Sequence, residues 1–389
     1  QPGAPLVWPD GVPGGDQEAA DHGADVGGSK TESTTPSNIV NPVGFQRGDA
    51  ESALGDSHRT VDLTFEIDRV HQSYLEPHAT IAAPKDSALG LTIWSSSQAP
   101  TNVQRESAAL LGIAASEVDA KVMQVGGGFG GKFILYEPLV TAAAQVVGAR
   151  VQLVLTRREE LLATQPAAGG RIRIQLGAEA NGMLTAIKAQ IVYDGGCFPS
   201  TPTGIGVQMC GSIYQAPNID VRGHTVMTHK PSIGAYRAPG MTQQAFALES
   251  AMDELGIALG IDPLELRLRN ASKPGDPLAD GGVWPDIGIR DVLLRLEAHP
   301  LWQDRNRLSA KGRGVGIALG GWFGGVDAGS AGCTVEEDGG VTVHFAAVDL
   351  TGITTSVVLL VAEEIGIRPE EVRIREQGQV DGPYHLTKS

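Results

Sequence analysis

Val61-Asp62-Leu63-Thr64-Phe65-Glu66-Ile67 alternates apolar and polar side chains, the two-residue period of a strand with one buried face. A second strand is predicted over 89–95, leading to Gln98 and a helix from Asn102 to Leu111. A strand at 120–125 runs into a glycine-rich loop, and a helix begins near Glu137 with Leu139, Ala142, Ala143 and Val146 at one-face spacing. Strands follow at 150–156, 171–176 and 184–193, the last ending in the turn Asp194-Gly195-Gly196-Cys197-Phe198-Pro199. A helix over about 241–259 carries Ala245, Leu248, Met252, Leu255 and Leu259 along one stripe, which reads as ordinary core. Residues 270–286 read as loop, and 288–297 as helix. A polar stretch at 305–312 marks a boundary. Beyond it, strand 341–348, helix 354–365 and strand 372–376 make a β-α-β unit. The pattern predicts an α+β fold of mixed sheets with flanking helices.

Composition narrows the function classes. The chain has 389 residues, enough for two domains, with 41% hydrophobic and 19% charged residues, ordinary for a globular protein. Its formal net charge is −15 and it has no basic run, which argues against nucleic acid as a partner. No apolar run reaches the length of a membrane span. Cys197, Cys210 and Cys333 are too widely spaced for a disulfide framework or a metal motif, so a reducing cytoplasm is expected. The first fifty or so residues are polar and rich in Gly, Pro, Asp and Ser. They read as a linker or wrapping segment over 1–58, ahead of a first domain at 59–305 and a second, incomplete one at 306–389. The opening Gln1-Pro2-Gly3 suggests an internal piece of something larger.

Chemistry concentrates in two loops. Gly126-Gly127-Gly128-Phe129-Gly130-Gly131-Lys132 is a backbone that can press closely against a bulky group. It lacks the spacing of a dinucleotide fingerprint and the Gly-Lys-Ser/Thr ending of a P-loop. Ser232-Ile233-Gly234-Ala235-Tyr236-Arg237-Ala238-Pro239-Gly240 leads into the helix bearing Gln243, Gln244, Glu249 and Asp253. Glu76-Pro77-His78, Gln98-Ala99-Pro100 and Asp349-Leu350-Thr351-Gly352 complete a series of five tags. In that order they resemble the large, molybdopterin-binding subunit of the molybdenum hydroxylases, of xanthine dehydrogenase, aldehyde oxidase and carbon monoxide dehydrogenase type. The resemblance spans nearly the whole chain.

The resemblance implies a molybdenum–molybdopterin cofactor, in some branches extended to a cytosine dinucleotide, held mainly by its own sulfurs. No protein metal ligand is therefore expected, and His71 and His78 read as structural. Gln98 matches the glutamine whose amide approaches the metal's oxo group. Gly128, Phe129 and Gly130 match the residues whose backbone N–H groups border the metal and pterin. Arg237 matches the cofactor-loop arginine, whose fork suits phosphate or pterin oxygens; a salt bridge to Glu249 or Asp253 is the other reading. Gly352 and Thr354 stand where many relatives carry a Gly-Gln-Gly turn. Here the glutamine is missing, and Thr354 or Thr355 capping the following helix is the alternative. Phe133 replaces the glutamate of purine-oxidising relatives, and Ala238 the cysteine of the carbon monoxide enzymes. An aldehyde or N-heteroaromatic substrate remains, with Phe129, Phe133, Trp322 and Phe323 as candidate apolar walls. The family's base glutamate falls beyond Ser389. The resemblance therefore implies that the remaining molybdopterin-binding region lies on a separate chain or on a longer polypeptide of which this is a part, alongside an iron–sulfur subunit with two 2Fe–2S clusters and an FAD subunit. A non-catalytic scaffold of such a complex is the competing role.

Overall fold

In a computed structural model, residues 3–10, 37–199, 202–309, 312–322, 331–345 and 347–376 are described. They form two compact units, one of residues 1–70 and 166–322, the other of 71–165 and 323–389. The division is interleaved rather than linear: residues 71–165 group with the chain after 322, not with their sequence neighbours.

The first unit is built on a five-stranded sheet. Its strands are β1 (Ile39–Arg47), β2 (Arg59–Ile67), β7 (Gly169–Ala178), β8 (Leu184–Gly196) and β9 (Asn218–Met227), in the order β1-β9-β8-β7-β2. Only β8 and β9 run parallel. Ile172, Ile174 and Leu176 are fully buried while Arg171 and Arg173 between them are exposed, so one face of β7 is core and the other polar. The α-helices of this unit are α1 (Ala50–Asp56), α5 (Thr203–Cys210), α6 (Met241–Leu259), α7 (Pro263–Asn270), α8 (Ile289–Glu297), α9 (Pro300–Gln303) and α10 (Arg305–Ser309). Helix α6 buries Leu248, Met252 and Leu255 completely, as its stripe predicted. It stops at Gly260, whose φ of 67° only glycine adopts cheaply. Asp262 then caps α7 by accepting from the N–H groups of Leu264 (2.9 Å) and Glu265 (3.3 Å).

The second unit contains the sheet β5-β4-β3-β6: β3 (Ala79–Ala83), β4 (Leu91–Ser95), β5 (Val118–Lys121) and β6 (Val151–Val154). Helices α2 (Pro100–Leu111) and α3 (Glu137–Val147) share with it a core of Ile93, Val103, Val118, Val140 and Ala144, and α4 (Arg157–Ala163) follows β6. The same unit holds the strands β10 (Ala331–Val335), β11 (Val341–Phe345) and β12 (Val372–Glu376) with α11 (Ile353–Ile365). Here β11 and β12 are parallel, making the predicted β-α-β unit.

Several expectations need correction. The segment assigned as linker contains β1, an edge strand paired to β9, and α1; residues 11–36 of it lie outside the described residues. The predicted strand 120–125 ends at Lys121, because the following residues belong to the glycine loop. The stripe assigned to α3 faces the wrong way. Leu139 and Val146 are 61% and 88% exposed, while Glu137, Val140, Thr141 and Ala144 are buried.

Candidate functional site

The glycine loop is shaped by two side-chain acceptors. Gln98 is 1% exposed, and its Oε1 accepts from the N–H groups of Gly130 (2.9 Å) and Lys132 (3.3 Å). Its own N–H donates to the Lys132 carbonyl at 2.6 Å, so residues 98 and 132 are joined twice. Glu76 Oε2 accepts from the Gly126 N–H and from Lys132 Nζ, both at 2.7 Å. Gly131 N–H closes a turn onto the Gly128 carbonyl at 2.8 Å. Among the described residues, the N–H groups of Gly127, Gly128 and Phe129 have no acceptor. A β-carbon on Gly128 would sit 2.2 Å from Gln98 Oε1, so glycine there is a packing requirement. Phe129 adopts φ 50°, a left-handed conformation costing a bulky residue roughly 1–3 kcal/mol, and its ring is 44% exposed. Such strain is kept where the backbone must point its N–H groups in a set direction.

Beneath the loop lies a buried polar network. Lys132 is fully buried, 4.7 Å from the centre of the Tyr74 ring. The Tyr74 hydroxyl donates to Glu160 Oε1; His78 Nδ1 lies 2.8 Å from the same oxygen, and His78 N–H donates to Glu160 Oε2 at 2.7 Å. His71 Nε2 meets Thr164 Oγ1 at 3.0 Å. Burial alone would raise the Glu160 carboxyl, but the hydrogen bonds from His78 and Tyr74 outweigh it and bring the pKa down to about 2. Burial pushes the Lys132 ammonium down from its usual range, against the pull of Glu76. Burial likewise lowers His71. Both histidines are engaged in this buried network through Glu160 and Thr164, and no group of three or more His, Cys, Asp and Glu that could hold a metal ion occurs among the described residues.

The arginine loop belongs to the other unit. Ile233 N–H donates to the Gly195 carbonyl (3.3 Å), Gly234 N–H to Pro166 (3.0 Å), and the buried Tyr193 hydroxyl to Gly240 (2.9 Å). Gly240 has φ 77°, and a β-carbon there would lie 2.2 Å from the Pro202 carbonyl oxygen. Ala238 is left-handed at φ 58°. The N–H groups of Tyr236, Arg237 and Ala238 have no acceptor among the described residues. Arg237 is exposed, and the salt bridge to Glu249 or Asp253 does not form. Arg267 takes those partners instead, reaching Glu249 Oε2 at 2.7 Å and Asp253 Oδ1 at 2.8 Å while itself fully buried. Among the described residues the Arg237 guanidinium has no partner.

The other predicted positions come out differently. Gly352, φ 78°, precedes α11 as its cap residue, and no side chain caps that helix. Capping by Thr354 or Thr355 is therefore overturned: Thr354 Oγ1 is buried without a hydrogen-bond partner. Phe133 is half-buried, with its carbonyl accepting from Ser97 Oγ at 2.6 Å. Trp322 is 50% exposed, and Phe323 and the 378–384 segment lie outside the described residues. Sequence reasoning singled out Glu76 and Lys132 only as parts of motifs; 56 residues separate them, and nothing local signals their contact.

The profile of the molybdopterin cofactor-binding domain matches residues 31–271, and a second profile of that description matches 295–387. The xanthine dehydrogenase molybdenum-binding subunit of Escherichia coli is 29% identical over 355 residues, which cover 87% of this chain and 47% of the relative. The 6-hydroxypseudooxynicotine dehydrogenase complex subunit gamma of Paenarthrobacter nicotinovorans is 28% identical over 355 residues, 84% of this chain and 44% of that one. The solved aldehyde oxidoreductase of Desulfovibrio gigas superimposes with a TM-score of 0.79 at 25% identity, covering 90% of this chain and 40% of its own. The chain thus spans about half the length of the curated relatives it matches. It belongs to the molybdopterin cofactor-binding family, and its α+β fold is that of the molybdenum hydroxylases.

Proposed function

We propose that this member of the molybdopterin cofactor-binding family supplies the glycine loop and the arginine loop of a molybdenum hydroxylase. Its substrate would be an aldehyde or N-heteroaromatic compound. The observation that carries the proposal is the run of three N–H groups at Gly127, Gly128 and Phe129 that find no acceptor among the described residues, held in place by Gln98. Consecutive backbone donors with no internal acceptor suit the oxo, dithiolene and phosphate oxygens or sulfurs of molybdopterin. The cofactor itself supplies the two-electron chemistry that adds a water-derived oxygen to the substrate. The chain's residues bind and orient. Gly128 and Phe129 present backbone donors, and Gln98, which occupies the Gly130 N–H, fixes their direction. Arg237, unpaired among the described residues and just ahead of the nineteen-residue helix α6, offers fixed positive charge for anionic oxygens of the pterin or its nucleotide. Gly352 and Thr354 contribute a third contact, for which the buried, unpartnered Thr354 hydroxyl is the support.

Phe133 in place of an acid, and Ala238 after Arg237, direct the choice away from purines and carbon monoxide. Electrons would pass to 2Fe–2S and FAD groups on partner subunits, and the subunit name of the Paenarthrobacter relative supports such an assembly. The free thiols of Cys197, Cys210 and Cys333 suit a reducing compartment such as the cytoplasm. The test is metal and pterin analysis of the assembled complex with Arg237→Ala and Gln98→Ala variants. Arg237→Ala should lower cofactor retention, and Gln98→Ala should lower turnover. Wild-type molybdenum content and rates in both variants sink the assignment, whereas bound pterin without turnover in the wild-type complex identifies a scaffold.

A further inference from the structure

We infer that Glu76 and Lys132 form a clasp that sets the shape of the glycine loop, making them positioning residues for the site it builds. The inference rests on the reading of that loop as a cofactor cradle.

Glu76 Oε2 takes one donor from each end of the loop, the Gly126 N–H and Lys132 Nζ, both at 2.7 Å. Gln98 takes the Gly130 and Lys132 N–H groups. These two acceptors occupy the donors at 126, 130 and 132 and leave those at 127, 128 and 129 unused. The clasp therefore selects which N–H groups remain available. Two further observations say that it is built rather than incidental. Lys132 is 0% exposed while Glu76 is 36% exposed, so a buried ammonium depends on this carboxylate for its nearest counter-charge. The glycines are fitted to the segment carrying Glu76: a β-carbon on Gly126 would lie 2.5 Å from Glu76 Cβ, and one on Gly131 would lie 2.8 Å from Tyr74 Cε1. That segment is fixed in turn, because Arg157 Nη1 donates to the Tyr74 carbonyl at 2.9 Å and Glu160 holds both Tyr74 and His78. A chain of contacts runs from α4 through residues 74–78 to the loop.

The test is hydrogen exchange by mass spectrometry on the assembled complex, comparing a peptide over 122–133 with one over 263–270 in the other unit. Glu76→Ala should raise exchange in the loop peptide about tenfold or more, the size expected when a hydrogen bond to a charged acceptor is lost. It should leave the distant peptide unchanged and lower pterin content. Glu76→Gln keeps an acceptor oxygen and a near-isosteric side chain, so it folds even where Glu76→Ala does not. Its loop exchange should lie between wild type and Glu76→Ala, or be raised by itself where Glu76→Ala cannot be purified. Wild-type loop exchange in Glu76→Gln together with wild-type pterin content overturns the clasp. Raised loop exchange in variants of a wild-type complex that carries no pterin keeps the clasp and overturns the cofactor reading instead.

Discussion

The two loops resemble each other in what they present and differ in what holds them. Each leaves three successive N–H groups without an acceptor among the described residues, and each bends at a left-handed residue other than glycine, Phe129 at φ 50° and Ala238 at φ 58°. The glycine loop is gripped by side chains, two of them ionised: Glu76, Lys132 and the neutral Gln98. The arginine loop is gripped by backbone carbonyls, one phenol and, at its start, the Arg69 guanidinium, whose Nη2 donates to the Ser232 carbonyl at 3.3 Å, with Gly240 wedged against the Pro202 carbonyl. A carboxylate–ammonium pair therefore shapes the first loop, and packing with one guanidinium the second. The second loop keeps its only charge, Arg237, outward for a ligand.

The largest test of this contrast lies just after the arginine loop. Arg267 is fully buried between α6 and α7, and Glu249 also accepts from the Tyr214 hydroxyl (2.7 Å) and the Leu319 N–H (2.9 Å). Arg267→Met strands a buried carboxylate and should cost about 3–5 kcal/mol. The loss is read from the denaturation midpoint and from exchange over 241–270. A loss under about 1 kcal/mol would mean that Arg237 swings in to replace the missing guanidinium. In that case the arginine loop shares the α6–α7 ion pair rather than keeping its guanidinium apart from it, and the comparison fails.

Much of this architecture was legible in the sequence, for reasons that also explain what was not. Helix α6 was predicted at its observed bounds, because glycines flank it and its apolar stripe is unbroken. Helix α3 was found with the wrong face. An alanine-rich run gives weak contrast, and its anchor is a buried acid, Glu137, which accepts from Ser95 Oγ and the Leu135 N–H, both at 2.7 Å. Strand β3, Ala-Thr-Ile-Ala-Ala, is too small-sided to announce itself. Strand β1 hides among polar residues because it lies at a sheet edge and carries an irregularity between Val40 and Val43. The motif residues themselves stood out by type. What no local pattern contains is the pairing between them: Glu76 with Lys132, Arg267 with Glu249, Tyr193 with Gly240.

A second test uses acid. Glu160 is fully buried with a folded pKa of about 2, below its ordinary value of 4.5. A depressed carboxyl contributes stability that is complete above its unfolded pKa and is lost as pH falls through the folded one. The window is therefore about pH 5 down to about pH 2, and the full contribution is on the order of 3 kcal/mol. His71, lowered by burial, also loses stability on acidification, starting near its ordinary value of 6.5, above the onset for Glu160. The exchange of loop residues 122–133 should rise through the lower window, and Glu160→Gln should flatten that rise. Should the peptide carrying the arginine loop respond equally in that window, charge would not distinguish the two.

The smallest effect sharpens the contrast from the other side. Tyr193 is completely buried, and burial keeps its phenol neutral far above the ordinary range, so its bond to the Gly240 carbonyl does not titrate at any working pH. Tyr193→Phe removes one of the two donors on that carbonyl, which keeps the Gln244 N–H at 3.2 Å, at a cost of about 1 kcal/mol. Phenylalanine is tyrosine without the hydroxyl, so the ring keeps its place. The difference in stability between wild type and variant should stay flat from about pH 4 to pH 9, because no group in that contact changes charge there. A difference that grows on acidification would place a titrating partner under the arginine loop, and the division between a loop held by a carboxylate–ammonium pair and one held by packing and a guanidinium of fixed charge would collapse.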